Sequence, residues 1–197
     1  MALRAEKKAA TRTAISDAAM GLFLEHGFDK VTVAEVGEVA RVSVNTVFNY
    51  FVTKEDLFFD RQEEVVGRLA RAVAKAPDPA AAACELFEDE LRRGEPTLGL
   101  HPESPKFWKV VEDSPALQAR VRLLGELAEE ALAKALMEAG RPEPDAWWAA
   151  AVLSGIDRAL HAQIRRDLRK GQPLDVVRHD ARATAARAYG AVSLAVS

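Results

Sequence analysis

The chain is expected to be all-α, and three observations carry that expectation. No segment alternates apolar and polar residues over a useful length, whereas apolar residues recur at helical spacing almost everywhere. Helix-start signals repeat: Thr32 with Glu35, Ser43, Thr53 with Asp56, and Ser-Pro pairs at 104–105 and 114–115. The prolines fall at the joints between these stretches, where a helix has to stop or start.

The first helix places Ile15, Ala18, Ala19, Leu22 and Phe23 on one face and stops at Gly27, a residue suited to the left-handed C′ position. Phe28 then stands where a Schellman ending would set it against Phe23. Three helix starts of one design follow. Thr32 and Glu35 form a capping box stapled by Val31 and Val36, and Thr53 and Asp56 form another stapled by Val52 and Leu57. Between them Ser43 caps a helix with Val42 and Val47 as the staple. Each good cap contributes about 1 kcal/mol. Two of these helices are too short to stand alone, so the caps and their mutual apolar contacts must fix the angle between them.

Longer helices follow. They are expected over Lys54–Ala76, over Ala80–Arg93 and, after a Gly- and Pro-rich loop from Gly94 to Glu103, in a short piece with Phe107, Trp108 and Val111. A long helix then reaches Ala139, Gly140–Pro144 breaks the chain, and Asp145–Lys170 and Pro173–Ser197 are separated by Gly171. The expected division is a first domain of short, capped helices over residues 9–69 and a helical bundle over residues 70–197.

Composition narrows the function. With 49% hydrophobic and 29% charged residues the chain is globular, and its longest apolar runs fall short of a membrane span. The polar N-terminus does not read as a signal peptide, so a cytoplasmic protein is expected. Cys84 is the single cysteine and the four histidines are scattered, so neither a disulfide, a metal site nor a cofactor is expected. No Ser/His/Asp constellation or Gly-rich phosphate loop suggests an enzyme. The net charge is −3, and residues 1–60 hold seven Lys or Arg against nine Asp or Glu. Any grip on nucleic acid must therefore come from the placement of a few groups.

Residues 32–51 supply such a placement. A helix, a three-residue turn (Arg41, Val42, Ser43) and a second helix have the spacing of a helix-turn-helix. On the second helix Val47 and Phe51 should pack inward, which leaves Val44, Asn45, Phe48 and Asn49 on the opposite face without any charge. Asn pairs bidentately with adenine and apolar groups suit thymine methyls, so this face fits base edges in a major groove. Phosphate contacts are expected from Thr32, from Lys54 and from the leading Arg4, Lys7, Lys8 and Arg12.

The stretch from Val42 to Leu57, with Ala18-Ala19, Phe23, Gly27-Phe28, Thr32-Val33, Val36 and Ala40 upstream, resembles the tetracycline-repressor (TetR) family over roughly residues 10–58. The resemblance implies three DNA-binding helices, a linking fourth, and a bundle whose last two long helices join a homodimer. It also implies DNA contacts from Thr32, Ser43, Val44, Thr46, Phe48, Asn49, Tyr50 and Lys54. Two departures stand out. Arg41 replaces the usual turn glycine, where a left-handed backbone costs roughly 1 kcal/mol, and Phe48 lacks the hydroxyl of the usual tyrosine.

By this reading the chain is a repressor released from a palindromic double-stranded operator by a small apolar or aromatic effector. The effector is expected among Phe87, Leu91, Phe107, Trp108 and Trp147, with His161 as a polar handle and the short Phe107–Trp108 helix as a lid. The alanine stripe Ala181, Ala185, Ala188, Ala191 and Ala195 supports close helix packing in the dimer. The alternative is a helical interaction protein that keeps the regulator fold without operator binding.

Overall fold

The computed structural model describes residues 2–196, apart from the side chains of residues 2–4, 194 and 195. The expected phosphate contact from Arg4 and the place of Ala195 in the alanine stripe lie outside the described residues. Among the described residues there are helices and turns but no strand. The chain divides into two compact units: residues 1–62 with 106–121, and residues 63–105 with 122–197. The expected division had a single cut after residue 69; here residues 106–121, from the middle of the chain, group with the N-terminal helices.

The first unit contains α1 (Ala2–His26), α2 (Val33–Val39), α3 (Val44–Tyr50) and α4 (Lys54–Phe58). α1 ends as its apolar pattern requires. Gly27 has φ 87, its N–H donates to the Phe23 carbonyl at 2.9 Å, and Phe28 packs on Phe23 with ring centroids 5.1 Å apart. Ile15, Ala19, Phe23, Val36, Val47, Phe51 and Leu57 fill the core.

The expected helix from Lys54 to Ala76 is broken. α4 stops at Phe59, and α5 (Gln62–Val73) begins three residues on. The cause lies on α1: Arg12 Nη2 donates to the Asp60 carbonyl at 3.1 Å and Ser16 Oγ donates to the Asp60 carboxylate at 2.6 Å. These bonds hold Asp60 in the break and satisfy its carbonyl outside a helix.

The second unit is built on α5, α6 (Pro79–Arg93), α9 (Glu143–Arg169) and α10 (Leu174–Val196), with a 3₁₀ turn at Pro96–Leu98 in the expected loop. α6 opens on Asp78, whose carboxylate accepts from the N–H groups of Ala80 and Ala81, with Pro79 at the first turn. α10 packs on α6 and α9 around Phe87, Leu91, Leu153, Leu160, Ile164 and Tyr189. Ala181 and Ala185 are buried in this core, so that part of the alanine stripe serves the unit's own packing. α7 (Ser104–Asp113) belongs to the first unit, and α8 (Pro115–Glu138) contributes its first residues there and the rest to the second. No described helix is long and apolar enough to cross a membrane.

Candidate nucleic-acid interface

The connection between α2 and α3 is fixed by backbone bonds. α2 ends in a Schellman turn: the Arg41 N–H donates to Glu38 O at 3.1 Å and the Val42 N–H to Gly37 O at 2.9 Å. Arg41 takes the left-handed position with φ 57. Gly37 is required by the same turn, because a Cβ there would stand 2.9 Å from the Val42 carbonyl oxygen. α3 then starts on Ser43, whose Oγ accepts the Thr46 N–H at 3.0 Å and pairs with the Thr46 hydroxyl at 2.8 Å.

α3 divides as its sequence requires. Val47 and Phe51 are buried, and Thr46 and Tyr50 are half-buried. Val44, Asn45, Phe48 and Asn49 face outward; Val44 is 39% and Phe48 48% exposed, and Val52 just beyond is 81% exposed. From Val42 to Thr53 the chain carries no charge.

The flanks differ from expectation. Lys54 does not point outward. Its ammonium donates to the Phe28 carbonyl at 2.5 Å and lies 4.3 Å from the Phe28 ring centroid, and this burial lowers its pKa. Arg12, read as part of a basic leading arm, donates to the carbonyls of Tyr50 and Asp60 and stacks over Phe51 at 4.2 Å. Both cations brace the unit. Thr32 is exposed at the start of α2, but Glu35 Oε2 accepts its N–H at 2.6 Å and its hydroxyl at 2.8 Å. The same bonds lower the Glu35 pKa, so a carboxylate occupies the place where a phosphate was expected. Lys7, Lys8, Lys30 and Arg41 are exposed on this unit.

A second brace has no counterpart in the sequence reading. Asp56 closes the capping box of α4 and also accepts from Gln62 Nε2 at 2.9 Å and from Arg120 Nη2 at 2.5 Å. Ser114 Oγ donates to Asp29 at 2.8 Å. These bonds tie the α7–α8 junction to the helices of the first unit.

The six residues expected to hold an effector are divided between the two units. Phe107 and Trp108 belong to the first unit, where Phe107 stacks on Phe58 at 4.5 Å and Trp108 meets Phe107 edge-on at 5.4 Å. The pair is part of an aromatic cluster in that unit. Trp147 is 40% exposed, because the buried face of α9 is supplied by Ala146, Ala149 and Ala150. Phe87 and Leu91 are buried in the second unit, and His161 lies 6.2 Å from the Phe87 ring.

Beside His161 stands a buried polar centre. Arg68 donates to Asp157 Oδ1 at 3.0 and 2.9 Å and to Glu90 Oε2 at 2.8 Å, and His161 Nδ1 lies 2.9 Å from the Asp157 carbonyl. Burial raises the Glu90 pKa to about 7 against the pull of Arg68, and burial lowers that of His161. The Tyr189 hydroxyl and Ser154 Oγ are buried nearby in the unit without a described partner. A groove of about 360 Å³ also opens in this unit between Val73, Pro77, Leu136 and Pro142, and none of the six expected residues lines it. Among the described residues no group of His, Cys, Asp or Glu is placed to hold a metal ion.

Residues 15–60 match the profile of bacterial regulatory proteins of the tetR family. The fold is that of NalD, the secondary repressor of the MexAB-OprM multidrug efflux pump in Pseudomonas aeruginosa (20% identity, 93% of this chain and 97% of that one, TM-score 0.58). It is also that of SmeT, repressor of the Stenotrophomonas maltophilia efflux pump SmeDEF, in complex with triclosan (18% identity, 91% of each chain, TM-score 0.59). A TetR-family regulator from Streptomyces coelicolor is similar at 24% identity, over 91% of this chain and 94% of that one, with TM-score 0.53. Comparison with curated proteins gives no match. The matched segment runs from the middle of α1 to the end of α4 and contains the whole helix-turn-helix, so the likeness in sequence to tetR-family regulators covers the segment that carries α2 and α3.

Proposed function

We propose that the chain is a homodimeric repressor that reads a palindromic operator with α3 and releases it when a small apolar or aromatic effector binds the second unit. The observation that carries the reading is the outward face of α3: two amides and two apolar groups, exposed and uncharged, on a helix whose other face is locked into a core. Ser43, Thr46 and Tyr50 stand at its margins as positioning contacts to the backbone. The repressor mode takes support from NalD and SmeT, which repress efflux pumps, and the effector class from SmeT with triclosan. The dimer is assigned to α9 and α10, whose outer faces expose Trp147, Trp148, Leu174 and Val176.

The inward Lys54 and the carboxylate of Glu35 favour a second reading, a helical interaction protein without an operator. Selection from a random duplex pool separates the two. The operator reading expects an enriched inverted repeat, bound by a dimer. A pool that stays random, with the protein folded, leaves the interaction reading standing.

A further inference from the structure

The exposed face of α3 also says which base pairs it suits, an inference that rests on the operator reading above. Guanine is read in the major groove by Arg or Lys donating to O6 and N7, and α3 has neither. Two cations that flank it are occupied, Lys54 on the Phe28 carbonyl and Arg12 on the carbonyls of Tyr50 and Asp60. Arg41 is exposed, but it stands in the turn before α3 rather than on the reading face. What the face offers is complementary to the other base pair. Among the described residues no partner bonds the amides of Asn45 or Asn49, and an amide fits the N6 and N7 of adenine. Phe48 and Val44 hold apolar area open to solvent, and the one apolar group a base pair presents in the major groove is the thymine methyl.

We propose that the operator half-site is A·T-cored, with adenines read by Asn45 and Asn49 and thymine methyls packed against Val44 and Phe48. The methyl contact gives Phe48 a role of its own: without a hydroxyl it is a specificity residue rather than a backbone contact.

The test begins with duplexes selected from a random pool. In the enriched half-site each thymidine in turn is replaced by deoxyuridine, which removes only the 5-methyl group. At one or two positions affinity should fall about fourfold, the worth of one buried methyl group. In the Phe48→Ala variant, an exposed substitution that leaves the core intact, one of these positions, the one Phe48 covers, should become indifferent to the replacement. A half-site whose essential pairs are G·C, or one in which uracil binds as well as thymine throughout, overturns this inference and leaves the operator reading intact. A pool with no enriched sequence overturns both.

Discussion

In the first unit the exposed face of α3 carries no charge, while in the second unit a guanidinium and two carboxylates are buried within the bundle. A solvated helix face normally collects charge, and a core normally excludes it. Each unit inverts the rule, and the inversions have different causes. Burying unpaired charge is expensive, so the second unit can hold Arg68 only because Glu90 and Asp157 meet it at hydrogen-bond distance from two other helices. An uncharged exposed face has no such structural reason. It gains nothing for folding, and it suits a surface that gives up its water when a partner arrives. The comparison therefore separates a structural use of polarity from the surface proposed to read DNA.

The largest effect should come from breaking the buried centre. Arg68→Ala leaves two carboxylates buried together, and chemical denaturation should show a loss of about 3–5 kcal/mol. A loss under about 1 kcal/mol would mean that the centre is solvated, and the contrast between the units would weaken.

A smaller effect tests the same centre through pH. Glu90 has its folded pKa raised from 4.5 to about 7, so the folded state keeps a proton that the unfolded chain releases. Its contribution is fully present below about pH 4.5 and is lost as pH rises through about 7, a change of about 3 kcal/mol. His161 acts in the opposite sense, since its lowered pKa weakens the folded state as pH falls. The Glu90 part is therefore isolated as the difference between wild type and Glu90→Gln. Wild type should lose stability relative to Glu90→Gln steadily as pH rises from 4.5 through 7, and a flat difference would place the Glu90 titration outside this window.

The smallest effect lies in the first unit. Arg41 holds φ 57, so Arg41→Gly should raise the melting temperature slightly, by up to about 1 kcal/mol of stability. A loss of stability would mean that the Arg41 side chain contributes more than its backbone costs.

What was legible in the sequence was local. The capping boxes at Thr32 and Thr53, the Ser43 cap, the left-handed Gly27 and Arg41, and the division of α3 into faces all depend on residues within five positions of one another. What was not legible was the destination of long cations. Lys54 looked like a phosphate ligand because it follows α3, yet its partner is the carbonyl at Phe28. Arg120 reaches Asp56 across 64 residues and Arg68 reaches Asp157 across 89, and no local pattern marks either pair. The division of the expected effector residues between the units was hidden for a related reason. Aromatics were grouped by helix order, whereas the chain returns α7 to the first unit and turns Trp147 outward.

The most direct test of the central claim, that the uncharged face of α3 reads DNA, is the double variant Asn45→Ala, Asn49→Ala measured against the selected palindrome and a scrambled duplex. Both residues are exposed, so the melting temperature should stay that of the wild type. Affinity for the palindrome should fall by about 1–3 kcal/mol per lost base contact, toward that for scrambled DNA, while scrambled binding stays unchanged. A variant that still prefers the palindrome as strongly as the wild type would contradict the account, because the sequence would then be read by some other surface.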